Sequence, residues 1–313
     1  MKDHRSMMLD LQKAHDAIYE LLKGKNFHYI DIPMYDNIGD LLIMQGTLAF
    51  FKKKNLSPKT TSTAWAFDPA WVAPEDILVF QGGGNFGDLY ANINDKREEI
   101  VTRFPHNRIV MLPQTIFFTT DENRDRSAAV FRRHPDLHLF IRDKVSQQIA
   151  GHFSDHVYLV PDMAHQLYPI SSTGSGQGVL RIERVDLEQP TVPESLKGLH
   201  FDTRTDWVEV IGKEKCLIDL AWRLQGRFMA NGWQRCRKRL APWYWVPVAQ
   251  RLSSKAVALF SRHDHIVTDR LHGHILSCLM DKKNTVIDNS YGKNSTYINE
   301  WTGESDLVQL VKA

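Results

Sequence analysis

Cysteine is scarce: three residues among 313, Cys216, Cys236 and Cys278, far apart and odd in number. That spacing offers no disulfide framework and no metal-ligand cluster, and it fits free thiols in a reducing compartment. Long apolar runs are missing too. No stretch reaches the roughly 18 apolar residues that a membrane span requires. The start, Met1-Lys-Asp-His-Arg-Ser6, runs into Met7 to Leu11 and then back into charge, without the continuous apolar region of a signal peptide. The expectation is a cytoplasmic chain, peripheral at most to the inner face of a membrane. Net charge is small as well: 39 Lys+Arg against 37 Asp+Glu leave +2, which gives no argument for nucleic acid as a partner.

What the chain does have is alternation. Segments rich in β-branched and aromatic residues recur at 27–32, 76–80, 108–112, 137–141, 156–160, 178–182 and 284–288, separated by helix-like stretches. That order predicts an α/β fold with a parallel, helix-covered sheet. Polar residues gather just after the strands, where open α/β sheets bind ligands. Asn37, Gly39 and Asp40 follow the first, Gln81-Gly-Gly-Gly-Asn85 the second, Pro113-Gln114 the third, Arg142 with Ser146 the fourth, and Asp162 with His165 the fifth. The glycine run suits a loop whose N–H groups curl round an anion, but a tight turn or close strand–helix packing explains three glycines too. Asn37 and Asp40 also suit a plain turn and helix cap.

The chain is organised around Ile266-Val-Thr-Asp-Arg-Leu-His-Gly-His274, a strand end running into an apolar helix. A strand-to-helix junction aims free helix N–H groups at a ligand. Arg270 adds a planar fork for carboxylate or phosphate, and His272 a proton carrier near neutral pH. Asp269 reads either as a catalytic acid–base group or as an N-cap paired with Arg270.

Residues 171–178, Ser-Ser-Thr-Gly-Ser-Gly-Gln-Gly, form the best linker and set a boundary between 1–172 and 173–313. From Ala221 to Arg251 there are seven basic residues, no acidic one, and Trp222, Trp233, Trp243, Tyr244 and Trp245. Such a segment suits an interfacial helix on an anionic bilayer, a groove for a sugar chain or nucleic acid, or a helical hairpin packing its aromatics inward.

Taken together, Asn37-Ile-Gly-Asp40, Gly82-Gly-Gly-Asn85, Pro113-Gln114, Arg142-Asp-Lys-Val-Ser146, Asp162, Thr268-Asp-Arg-Leu-His-Gly273 and Asp288-Asn-Ser-Tyr-Gly-Lys293 resemble the polysaccharide pyruvyl transferase family. The resemblance implies two Rossmann-like domains facing a cleft, in the manner of the GT-B glycosyltransferases. It implies transfer of pyruvate from phosphoenolpyruvate to two sugar hydroxyls, as a cyclic ketal with release of phosphate. The donor is a substrate, and no cofactor or metal is expected. The expected donor-binding residues are Arg270, Leu271, Arg142, Gly82, Gly83, Gly84, Asn85 and Lys293. His272, Asp269 and Asp40 are the expected catalytic groups, and Asn37, Asp40, Gln114 and Asp162 the acceptor side, with the N-terminal domain carrying the acceptor. The acceptor implied is a cell-surface sugar or a lipid-linked oligosaccharide, which makes anionic membrane a partner for 221–251. Two rivals stand beside this: a GT-B glycosyltransferase using a nucleotide sugar, and a non-catalytic protein binding glycans or membrane.

Overall fold

The computed structural model describes residues 3–172, 174, 176–184, 196, 198–288 and 292–311, without the side chain of Lys293. Helices α1 (His4–Ala14) and α2 (Asp16–Leu22) lead into strand β1 (Phe27–Ile30), helix α3 (Ile38–Lys53), short β2 (Thr60–Thr61), β3 (Ile77–Phe80) and β4 (Gly83–Gly87). Then come α4 (Ala91–Arg103), β5 (Ile109–Phe117), α5 (Asp121–Phe131), β6 (Leu137–Ile141), α6 (Lys144–Ala150) and β7 (His156–Leu159). These strands form one parallel sheet in the order β2-β1-β3-β5-β6-β7, with β4 also lying on β5.

The rest of the chain supplies β8 (Val179–Ile182), β9 (Thr203–Thr205), α7 (Trp207–Ile211), α8 (Lys215–Ala230), α9 (Gln234–Leu240) and α10 (Val246–Ser261). It ends with β10 (His265–Thr268), α11 (Leu271–Leu279), β11 (Lys283–Ile287), α12 (Lys293–Trp301) and β12 (Val308–Val311). A second parallel sheet runs β12-β11-β10-β8-β9. Strands covered by helices on both faces must be apolar throughout, and β3, Ile-Leu-Val-Phe, is buried at every position.

One apolar cluster runs from Met7 to Tyr297 through both sheets. Helix α3 is central to it, apolar nearly all round as a fully buried helix must be. It fits there because Gly46 has no side chain: a Cβ would stand 2.1 Å from the Met163 carbonyl oxygen. The halves also cross-bind. His4 Nε2 reaches the Cys278 carbonyl at 3.0 Å, and Trp301 Nε1 donates to the Arg142 carbonyl at 2.8 Å.

The basic aromatic segment resolves largely into the inward-packed hairpin. Trp222 Nε1 donates to the Met34 carbonyl at 2.7 Å and Trp245 Nε1 to that of Pro33 at 2.6 Å, while Arg237 binds the Ala66 carbonyl at 2.9 Å and Asp68 at 3.0 Å. Trp243 stays outside, 70% exposed, with the Arg239 guanidinium 4.4 Å from its ring centre. Among the described residues no helix is long and apolar enough to cross a membrane.

Three core histidines are held neutral. Burial pushes His15 down to about 4, His165 to about 3 and His274 to about 4, despite hydrogen bonds such as that of His274 to Asn284 at 2.7 Å. Unfolded, each takes a proton below about pH 6.5. Between that pH and the depressed folded values the unfolded chain binds more protons, so stability is full above pH 6.5 and falls as pH drops. Each histidine contributes roughly 1 kcal/mol per pH unit in that window. The buried carboxyls of Asp31, Asp40 and Asp269, pushed upward by burial, act in the opposite sense, so the net slope reads the histidines' excess. Calorimetry should find Tm about 5–10 °C lower at pH 5 than at pH 7.5; a flat profile would mean these rings charge within the fold.

Candidate active site

Two helix starts meet here. Asn37 caps α3, accepting from the Gly39 N–H at 3.0 Å, and its amide donates to Asp40 at 2.8 Å. Opposite, α11 begins at Leu271 with no side-chain cap, so its N-terminal dipole end faces outward, suited to an anion. The two helices touch through Gly39 and His272: a Cβ on Gly39 would lie 2.6 Å from His272 Nδ1 and 2.8 Å from Cγ. Only a glycine there lets the imidazole stand where it does.

Around this contact lies a cavity open to solvent, walled by Asn37, Asp40, Gly84, Asn85, Arg142, Arg184, Trp207, Arg270, Leu271, His272 and Asn294, with Leu89 and Tyr90 also lining it. Its walls come from segments that follow strands of both sheets. Arginines enter after β6, β8 and β10, as ligand-binding residues do at the carboxyl ends of parallel strands.

Beneath the cavity is a charged triad. Arg142 is buried, with Nε donating to Thr115 Oγ1 at 2.8 Å and a terminal nitrogen donating to Asp162. Asp162 also accepts from the Ala164 N–H at 2.8 Å and lies 3.4 Å from His272 Nε2. Burial alone would raise the Asp162 carboxyl, but the charges of His272 and Arg142 and the hydrogen bonds outweigh it and hold it far below the usual carboxylate range. Asp40 goes the other way: burial pushes its carboxyl above the ordinary value, against the pull of His272 and Arg142. A retained carboxylate and a proton-hungry one thus both feel the charge of one imidazole.

Several residues picked from the sequence lie elsewhere. Asp269 is buried away from the cavity, accepting from Arg181 at 2.7 Å and from the Arg184 N–H at 2.8 Å. It fixes the Arg184 loop rather than His272; Asp162, expected on the acceptor side, is the carboxylate beside the imidazole. Gln114 is fully buried under β4, its amide donating to the Gln81 carbonyl, and does not line the cavity. The glycine run is a strand, not a cradle: Gly83 pairs with Gln114 and Gly87 with Phe117. Gly82 and Gly83 serve that pairing, since a Cβ on Gly82 would lie 2.7 Å from the Pro113 carbonyl and Gly83 has φ +136°. Gly84 and Asn85 alone of the run reach the cavity. The side chain of Lys293 lies outside the described residues.

Asn37, Asp40, Arg142, Arg270, Leu271 and His272 are brought together. Arg270 is not a lone fork, because Asp206, the N-cap of α7, accepts from both its Nε and a terminal nitrogen. The sequence reading missed Arg184, Asp206, Trp207 and Asn294. Arg184 had a signal, since it lies two residues past the strand ending at Ile182, and Asn294 directly follows the motif ending at Lys293; the segment to Asp206 carried no pattern to place Asp206 and Trp207.

Chemically, the cavity offers three guanidiniums and a helix N-terminus for an anion, a carboxyl tuned to take a proton, and an imidazole–carboxylate pair able to give one.

The profile of the polysaccharide pyruvyl transferase family matches residues 37–291. EpsO of Bacillus subtilis (strain 168), a candidate pyruvyl transferase, is 36% identical, over 99% of this chain and 96% of its own length. Pyruvyl transferase 1 of Schizosaccharomyces pombe is 29% identical over 72% of this chain and 55% of its own. Among solved structures, that of an uncharacterised Klebsiella pneumoniae protein superposes with a TM-score of 0.64 at 18% identity, covering 98% of this chain and 99% of the other, a likeness of fold alone.

Proposed function

The chain belongs to the polysaccharide pyruvyl transferase family, and from that premise we propose that it moves pyruvate from phosphoenolpyruvate onto two hydroxyls of a sugar in a cell-surface glycan or its lipid-linked precursor, closing a ketal. The two parallel sheets are then two Rossmann-like domains, 1–172 and 173–313, facing across the cavity in the GT-B manner. The donor's carboxylate and phosphate meet Arg142, Arg184, Arg270 and the start of α11.

One observation carries the reading: Asp40 and the His272–Asp162 pair share a cavity with three arginines. Addition of a hydroxyl across an enol double bond needs a proton delivered to the methylene carbon and another removed from the attacking oxygen. His272 gives the first and Asp40 takes the second. The second hydroxyl then replaces phosphate at the same carbon, its proton leaving with the phosphate. Holding donor and acceptor in register supplies a large share of the rate. A glycosyl transfer also needs a base for the attacking hydroxyl but no proton at carbon, so it would use one of these groups and leave the other idle.

Thermal shift tests the donor, because a ligand stabilises by a term that grows with its concentration over its Kd. Phosphoenolpyruvate should raise Tm where nucleotide sugars do not. Arg184→Met should weaken that affinity about tenfold or more, the loss of a charge-assisted pair. Stabilisation by a nucleotide sugar alone would favour the glycosyltransferase.

Membrane contact, on this reading, centres on Arg239 and Trp243, the most exposed tryptophan of the segment at 70%, since Trp245 is fully buried and the indole N–H of Trp222 is tied to the Met34 carbonyl. Sedimentation with anionic vesicles should show binding that weakens with salt and is lost in Trp243→Ala. Equal binding to neutral vesicles would remove the electrostatic role.

A further inference from the structure

Next to the cavity lies a second, smaller recess that opens to solvent, and Asn85 lines both. Its mouth carries two tryptophans from distant parts of the chain. Trp65 belongs to the loop after β2 and is 37% exposed; Trp222 belongs to α8 and is 38% exposed. Their rings meet edge to face at 6.1 Å. Neither is loose, because Trp222 Nε1 is tied to the Met34 carbonyl at 2.7 Å and the Trp65 loop to α8 by Thr63 Oγ1 donating to Gln225 at 2.8 Å. A half-exposed, fixed aromatic pair forgoes burial that a merely structural role would have taken.

The floor is polar, with Asp31, Tyr35, Gln81, Asn85 and Arg97 among its lining. Arg97 and Gln81 are buried, and each leaves a nitrogen, Nη1 and Nε2, without a protein partner. Buried donors without partners are costly and call for an acceptor. Asp31, paired with Arg97 at 2.7 Å, is held at φ +63°, a strained setting for a residue with a side chain. Apolar ring faces at the mouth over planar amide, carboxylate and guanidinium groups match a pyranose, which shows C–H to one face and hydroxyls at its edge.

We infer that this second cavity is a glycan subsite, holding the sugar unit next to the one that receives pyruvate, with Trp65 and Trp222 as its stacking wall. It rests on the transfer proposed above, and it makes acceptor length a property of helix α8 rather than of the reacting centre.

The test is phosphate release from phosphoenolpyruvate with methyl galactoside, methyl glucoside and methyl N-acetylmannosaminide, each beside its β-linked di- and trisaccharide. In at least one series the longer acceptor should have a KM about tenfold lower than the monosaccharide, as loss or gain of one aromatic stacking contact gives. Trp65→Ala should erase that gain, leaving kcat, the KM for phosphoenolpyruvate and monosaccharide turnover unchanged, and Trp65→Tyr should restore it. Transfer without any dependence on length, or a Trp65→Ala loss equal for mono- and trisaccharide, overturns the subsite and leaves the transfer standing. Absence of transfer to every compound overturns both, and isothermal titration of the trisaccharides then reports separately whether a ring binds.

Discussion

Gly39→Ala is expected to lower the rate of pyruvyl transfer about a hundredfold or more, the cost of misplacing a reacting group by about 1 Å, while leaving the protein folded. The backbone at Gly39 lies in the first turn of α3, where alanine is at least as favourable as glycine. The added methyl instead meets His272 Nδ1 at 2.6 Å, Cγ at 2.8 Å and Cβ at 3.0 Å. A contact reaching as far back as Cβ is not relieved by a small rotation of the ring, so the imidazole must leave its place beside Asp162. Tm within a few degrees of the parent, with kcat collapsed and the affinity for phosphoenolpyruvate kept, is the expected pattern. Normal kcat in Gly39→Ala would show that the position of His272 is immaterial to the chemistry.

The second large effect is on stability. Asp162→Ala leaves Arg142 buried against a missing partner, and removal of one member of a buried ion pair costs about 3–5 kcal/mol. Arg142→Met together with Asp162→Ala removes both charges, so urea unfolding of the double variant should recover much of that loss, a coupling that a double-mutant cycle reads directly. Activity should not recover with it, since His272 then has no carboxylate at 3.4 Å. Additive losses would mean that Arg142 and Asp162 are not energetically paired.

How much of this was readable beforehand depended on whether the determinant was local. The strand at 77–80 was legible because a parallel strand buried on both faces leaves an unbroken apolar run, and those at 137–141 and 179–182 because only a single polar residue, His138 or Arg181, interrupts theirs. The junction at 268–272 was legible because strand, turn and helix follow one another in sequence. Gly83–Gly87 was not. Apart from Phe86 its residues disfavour strands, and it pairs with β5 because bare backbone lets the chains close up, a Cβ on Gly87 falling 1.6 Å from the Phe117 carbonyl. The roles of Asp162 and Asp269 hinged on which carboxylate stands beside His272, and that follows from the packing of α3, far from both aspartates in sequence, against Met163 and Ala164, the residues next to Asp162. The basic aromatic segment left three readings open for the same reason, its tryptophans being placed by the carbonyls of Pro33 and Met34 that they reach.

The central claim is that pyruvate leaves phosphoenolpyruvate for two hydroxyls of a sugar. Phosphate release from phosphoenolpyruvate, with mass spectrometry of the acceptor, tests it most directly. The account predicts one phosphate released for each acceptor that gains pyruvate less one water, both lost in His272→Ala and Asp40→Asn. Phosphate release unaccompanied by an adduct, or an adduct formed equally well by His272→Ala and Asp40→Asn, would contradict it.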